Sequence, residues 1–390
     1  MRIGIDATSW VSRRGFGRFT RNAIGRLVEQ DRATTYVFFI EEQSADEAGL
    51  PDGVEVERVA LRRPPSEAAA AGSSRTVADL LRMTRAVRRG RLNAFLFPSL
   101  YTWFPVIGTP TIVGVHDTMV EDLPELTVPS RRDRVATNIK HRAGVRTATT
   151  LFTVSESARR AITARLGISS DRLRIVPEAP DPVFAPRAGA ALASGLEAAG
   201  LEPDSRFFLF FGGISPHKNV ETLIDAYAAL RTARGEAALL VLVGELEESA
   251  YASAAASVRE RIARHGLDSA VRLPGYVSDE TLACLCTAAT GVVLPSLAEG
   301  FGLPAVEAAA CGAPLALSEL DAHRETLGDA ALFFEPTDVH ALTGILVRLL
   351  DDEPLRHSLS AAGRKAVAWR TWDAAAEELS ALIATTARPA

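Results

Sequence analysis

Short runs rich in β-branched and aromatic residues alternate with stretches whose apolar positions recur every three or four residues, from one end of the chain to the other. The first pattern predicts strands and the second amphipathic helices. Strands are expected at residues 2–6, 36–40, 54–59, 94–97, 111–115 and 151–154, then at 207–211, 239–243, 271–273, 291–294 and 314–317. A strand–helix alternation this regular predicts parallel sheets joined by crossover helices, hence an α/β fold with two Rossmann-like halves. Within the second half, Val220, Leu223, Ile224, Tyr227 and Leu230 follow Asn219 at helical spacing, with Asn219 as the expected N-cap.

A chain of 390 residues exceeds what one hydrophobic core usually spans. The proline-dense run from Glu178 to Arg187, followed by an Ala/Gly-rich tract, divides it: a first domain at 1–180, a linker at 181–204, a second domain at 205–368 and a terminal segment at 369–390. A softer stretch at 68–74 reads as a surface loop. Hydrophobic residues make up 47% and charged residues 23%, the balance of a globular protein. Cys284, Cys286 and Cys311 are too few for a disulfide framework and read as small buried hydrophobes. No apolar run reaches the roughly 18 residues of a membrane span. Strand-like alternation starts at Arg2 with no signal-peptide segment before it, so a cytoplasmic location is expected. The net charge of −5 hides a split: residues 1–180 carry 27 Lys+Arg against 20 Asp+Glu, the remainder 16 against 28.

The segment from Pro295 to Gly312 carries the most chemistry. A buried strand runs into a loop bearing Gly300 and Gly302, and Pro304 sits in the first turn of a helix that Gly312 ends. Glycines there admit a ligand close to the backbone, and the helix start offers unpaired N–H groups and a positive dipole end. Glu299 and Glu307 bracket this anion site, suited to accept hydrogen bonds from sugar and ribose hydroxyls. Upstream, a strand passes through Gly212 and Gly213 to His217, Lys218 and Asn219. The chain has only three lysines, Lys140, Lys218 and Lys365, among 43 basic residues. A lysine just before a helix start, where its charge is disfavoured, suits a compact cation for a phosphate. In the first half, His116 closes a predicted strand at the edge where open α/β sheets bind ligands, with Asp117 either orienting it or capping the next segment.

The segment holding Glu299 and Glu307 resembles the E-x7-E signature of retaining family 4 glycosyltransferases of the GT-B fold. The resemblance extends through Gly213, Lys218 and Asn219, through Gly15 and Gly17 of the glycine loop at 13–20, and through residues 271–278 and 369–373. It implies two Rossmann-like domains facing across a cleft, an acceptor side at 1–180 and a nucleotide-sugar side at 205–368, with 369–390 returning to the first domain. By that resemblance Glu299 faces the donor sugar, Glu307 the ribose, and Lys218 the diphosphate. Backbone groups of Phe301, Gly302 and Leu303 contact sugar and phosphates, Gly275, Tyr276 and Val277 read the base, and His116 lies beside the donor sugar. Gly213 stands where many members carry arginine, leaving His217 or a first-domain arginine as the replacement contact.

The implied activity is a retaining hexosyl transfer, a mannosyl transfer among the candidates, from a GDP- or UDP-sugar to a glycan, lipid-linked or small-molecule acceptor. No metal cofactor is expected, because no D-x-D pair sits where a metal-bound diphosphate would need it, and no nucleic-acid partner is indicated. Two alternatives stay open. The non-enzymatic one is a catalytically silent sugar-nucleotide binder, against which intact Glu299, Glu307, Lys218 and His116 together argue. An NAD-dependent oxidoreductase would use Gly15, Gly17 and Glu41, but Thr20 replaces the third glycine and the loop starts well after the strand ends. Arg131, Arg132, Arg134, Lys140, Arg142 and Arg146 on one predicted helix, with a second cluster at Arg82, Arg85, Arg88, Arg89 and Arg91, suit an anionic acceptor or peripheral contact with an anionic membrane at its inner face. No clear Trp/Leu-rich apolar face accompanies them.

Overall fold

The computed structural model describes residues 1–12, 15–62, 76–128, 130–235, 238–244 and 252–388. The soft stretch at 68–74 lies outside the described residues, as do Arg13 and Arg14. The chain divides into two compact units, Met1–Glu178 with Thr371–Ala390, and Ala179–Arg370.

The first unit holds a seven-stranded sheet of β1 (Arg2–Asp6), β2 (Thr35–Glu41), β3 (Glu55–Val59), β4 (Ala94–Phe97), β5 (Thr111–Gly114), β6 (Thr150–Thr153) and β7 (Leu173–Ile175). Its spatial order is β3-β2-β1-β4-β5-β6-β7, all neighbours parallel. The second unit holds β8 (Phe207–Phe211), β9 (Leu239–Val243), β10 (Val271–Gly275), β11 (Gly291–Leu294), β12 (Leu315–Ser318) and β13 (Leu332–Phe334) in the order β10-β9-β8-β11-β12-β13, again parallel. Central strands are buried on both faces, which is why β8 reads as the unbroken run Phe-Phe-Leu-Phe-Phe rather than as an alternation. In each sheet the strand order reverses once, between β1 and β4 and between β8 and β11, and the crevice outside the carboxyl ends at such a switch point is where open α/β sheets bind ligands.

Two strands were not expected, β7 and β13. Both are three-residue edge strands, too short to show a period and only partly buried. The expected linker at 181–204 is also corrected. Within it Gly189–Ala198 forms a helix belonging to the second unit, packed on helix Asp279–Ala288 so closely that a Cβ on Gly195 would lie 2.5 Å from Cys284. Its alanines favour helix, and Gly195 lets that helix approach its neighbour.

The terminal segment joins the first unit. Thr371 caps helix Trp372–Thr386, Trp372 is buried edge-on against Phe19 at 6.1 Å, and Asp373 accepts from Arg26 Nε at 2.9 Å. On the same unit, helix Arg131–Thr147 engages three of its six cations internally: Lys140 Nζ donates to the Tyr101 carbonyl at 2.6 Å, Arg134 pairs with Glu125 at 3.1 Å and Arg142 Nε donates to Asn138 Oδ1 at 2.7 Å. Its outer face carries Arg132, Arg142 and Arg146 with Val135 and Ile139, which are 60% and 64% exposed. Helix Val77–Arg89 likewise exposes Val77 and Leu81 beside Arg85 and Arg88. The exposed apolar side chains among these arginines are a few aliphatic ones rather than a Trp/Leu-rich face, and only the helix orientation reveals them.

Candidate functional site

In the second unit, the loops after β8 and β11, neighbours at the switch point, bring Lys218 and Glu299 together. Lys218 Nζ donates to Glu299 Oε1 at 2.6 Å, with the two side chains 16% and 10% exposed. Ser296 Oγ donates to the same carboxylate oxygen at 2.7 Å. Burial pushes the Glu299 carboxyl up, but the Lys218 ammonium, the nearby His323 and these hydrogen bonds outweigh it and bring it down to about 2. Glu299 is therefore an anion at neutral pH.

The loops are locked to one another. Leu297 N–H donates to the His217 carbonyl at 2.8 Å, and Asn219 Nδ2 donates to the carbonyls of Pro295 at 3.0 Å and Pro336 at 2.6 Å. Here the expected N-cap is corrected: Asn219 precedes helix Val220–Arg234 but adopts a left-handed conformation, φ +54°, and its amide bridges loops instead of capping the helix. Asparagine is among the few residues that visit this region readily. His217 is buried with Ser215 Oγ 3.1 Å from Nδ1. The positive-φ glycine of the first loop is Gly212, φ +135°, while Gly213 has open space around it.

Gly302, φ +84°, opens helix Leu303–Ala310, with Pro304 in its first turn and Gly312 just beyond its end at φ +83°. Phe301 and Leu303 are buried, as is Glu307 on the inner side of the helix. The first N–H groups of a helix have no intrahelical acceptor, so the head of this helix presents donors and a positive end next to the Lys218–Glu299 pair. At residues 271–278, Gly275 takes φ +76° and receives the Gly244 N–H on its carbonyl at 3.0 Å, Tyr276 is exposed, Val277 is half-buried and Ser278 caps the following helix.

In the first unit, Gly15 and Gly17 do not lie in an open loop; they begin helix Gly15–Phe19, continued by a π-helical turn at Thr20–Ile24. Gly17 is required there, because a Cβ would meet the Ser12 carbonyl oxygen at 2.0 Å. His116 is engaged on both nitrogens: Nε2 lies 2.7 Å from the Pro98 carbonyl and Nδ1 3.5 Å from Glu178 Oε1, while the ring edge packs on Phe19 at 4.8 Å. Burial alone would lower its pKa, yet Glu178 and the Pro98 carbonyl raise it above the ordinary histidine value. Asp117 does not orient this histidine; it accepts from Met119 N–H at 2.9 Å and Tyr101 OH at 2.8 Å, leaving Glu178 and Pro98 to hold the ring.

Comparison with known proteins bears on both units. Residues 196–366 match the family described as Glycosyl transferases group 1, and residues 14–179 match the Glycosyl transferase 4-like domain. The Escherichia coli protein named O-antigen chain mannosyltransferase B is 30% identical over 263 residues, 67% of each chain. The chain belongs to the group 1 glycosyl transferases. Its solved likenesses include sucrose-phosphate synthase from Thermosynechococcus elongatus (TM-score 0.78, 19% identity, 99% of this chain and 98% of that one). They also include Anabaena HepE in complex with UDP and glucose (TM-score 0.75, 15% identity, 98% and 99%). At these identities they establish the fold of this glycosyl transferase, which is GT-B.

Two residues that act on Glu299 in this glycosyl transferase escaped the sequence: Ser296, inconspicuous beside Pro295, and His323. The second was findable. It follows the carboxyl end of β12 as His116 follows that of β5, and the same edge argument selects both.

Proposed function

We propose that this glycosyl transferase moves a hexosyl unit, mannosyl as the leading case, with retention at the anomeric carbon from a GDP- or UDP-sugar to a glycan, lipid-linked or small-molecule acceptor. The reading rests chiefly on one observation: Lys218 and Glu299 meet at the switch point of the second sheet, beside the glycine-opened head of helix Leu303–Ala310. A donor diphosphate would draw Lys218 away from Glu299 and take up the helix N–H groups, and the freed carboxylate would face the sugar. The bond from the anomeric carbon to the diphosphate oxygen then breaks with its electron pair going to the nucleotide. The acceptor hydroxyl bonds to the same face of that carbon, and its proton passes to the departing phosphate oxygen. Lys218 stabilises the leaving charge, Glu299 the cationic character at the anomeric carbon, and no metal is needed. Glu307 binds the ribose, Gly275, Tyr276 and Val277 the base, and His116 the donor-sugar side of the first unit. For His116 this requires exchanging Glu178 or Pro98 for a sugar hydroxyl. The mannosyl preference draws on the relative's name, and the nucleotide on the UDP-bound Anabaena structure.

Release of free nucleoside diphosphate from GDP-mannose, UDP-glucose and related donors, with candidate acceptors present, tests the reading. Turnover is expected to survive EDTA and to fall about 10²-fold or more in Lys218→Ala. Turnover abolished by EDTA and restored by Mg²⁺ would overturn the metal-free mechanism, and unchanged turnover in Lys218→Ala would overturn the site.

A further inference from the structure

His323 has no role in the scheme above, yet it is fully buried against the donor loop. It sits on helix Asp321–Leu327, just after β12, with Nδ1 2.9 Å from the Ser318 carbonyl oxygen. A carbonyl only accepts, so Nδ1 carries the proton; in the neutral ring Nε2 is then a bare lone pair. That nitrogen has no hydrogen-bond partner among the described residues. What the ring edge meets is Gly302: a Cβ there would lie 2.8 Å from Cδ2 and 3.2 Å from Nε2. Glycine at 302 is thus demanded twice, by its φ of +84° and by the imidazole beneath it.

We propose that His323 is a positioning residue for glycosyl transfer: a neutral imidazole, clamped by Ser318, on which Gly302 seats so that the head of helix Leu303–Ala310 stays aligned with the Glu299 carboxylate. The inference deepens the donor-site reading and rests on it. The charged groups acting on the ring are Glu299 and Lys218 from the two donor loops and Glu319 from the end of β12. Burial favours the neutral ring, Glu299 and Glu319 pull towards protonation, Lys218 opposes it, and the balance lies below an ordinary histidine. A protonated ring would compete with Lys218 for Glu299 and place a second cation under the loop. The ring must therefore stay uncharged for the site to hold its arrangement.

The test uses the full chain and two variants that fail differently. His323→Phe keeps a flat ring under Gly302 but loses the N–H to Ser318 and cannot protonate; His323→Asn keeps an N–H donor but leaves a void. Each is expected to lower kcat about 10- to 100-fold, the scale of a small misplacement at a reacting centre, with donor KM changed less than threefold. Wild-type kcat is expected to show an acid limb, below the ordinary histidine range, that both variants lack. The limb is read within each protein's own profile, so partial loss of folded material does not obscure it. Wild-type kcat in either variant, or an acid limb preserved in both, would overturn the proposal. Lys218→Ala measured alongside separates the two levels: loss there with intact His323 variants sinks only the positioning role, whereas no loss there sinks the donor site and this inference with it.

Discussion

Glu299 and Glu307 are the same residue type eight positions apart, and the structure gives them opposite surroundings. One is an ion-paired anion in a loop; the other is buried on the inner side of the helix. A carboxylate meeting the reacting sugar contributes in the transition state, and one holding ribose contributes equally before and during reaction. Glu299→Ala is therefore expected to lower kcat, and Glu307→Ala to raise donor KM with kcat little changed. Steady-state kinetics on both variants checks this, and equal effects on both constants in both would contradict the assignment. At this scale the sequence named Lys218, Glu299 and Glu307 through residue type, rarity and spacing. It could not show that Lys218 and Glu299 are bonded to each other, because 81 residues separate them and only the sheet order makes their loops neighbours.

Among the elements, the most legible were the central strands, whose uninterrupted apolar runs leave little choice of structure. Edge strands β7 and β13 carry no such signal. The helix Gly189–Ala198 shows the opposite failure, since alanine interspersed with glycine looks like a flexible tract until a neighbour is present to pack against. Gly195→Val tests that packing. The change gains a few tenths of a kcal/mol in helix propensity, but forces side-chain atoms into a space already filled by Cys284, at a cost of about 1–3 kcal/mol. Chemical denaturation is expected to show net destabilisation, and a variant as stable as the parent would mean that the segment does behave as a linker.

For the whole molecule, the described residues include no helix long and apolar enough to cross a membrane, while the first unit displays Val77, Leu81, Val135 and Ile139 among outward arginines. Cations at roughly 1 kcal/mol each near an anionic surface, with aliphatic side chains between them, suit peripheral docking at a lipid-linked acceptor. Co-sedimentation with phosphatidylserine vesicles is expected at low salt, reduced by 0.5 M salt and weakened further in a Val135→Ser, Ile139→Ser variant. Equal recovery in the supernatant with anionic and neutral vesicles would point to a soluble acceptor instead. By itself the sequence determined the fold class and the two sheets, and it singled out the charged residues proposed for the donor site, because hydrophobic period, glycine geometry and the choice of lysine are local properties. Tertiary structure alone decided which loops meet, that Asn219 bridges rather than caps, that His116 is already held on both nitrogens, and that His323 lies under Gly302. Those facts depend on strand order and side-chain direction, which bring together groups that no local spacing connects.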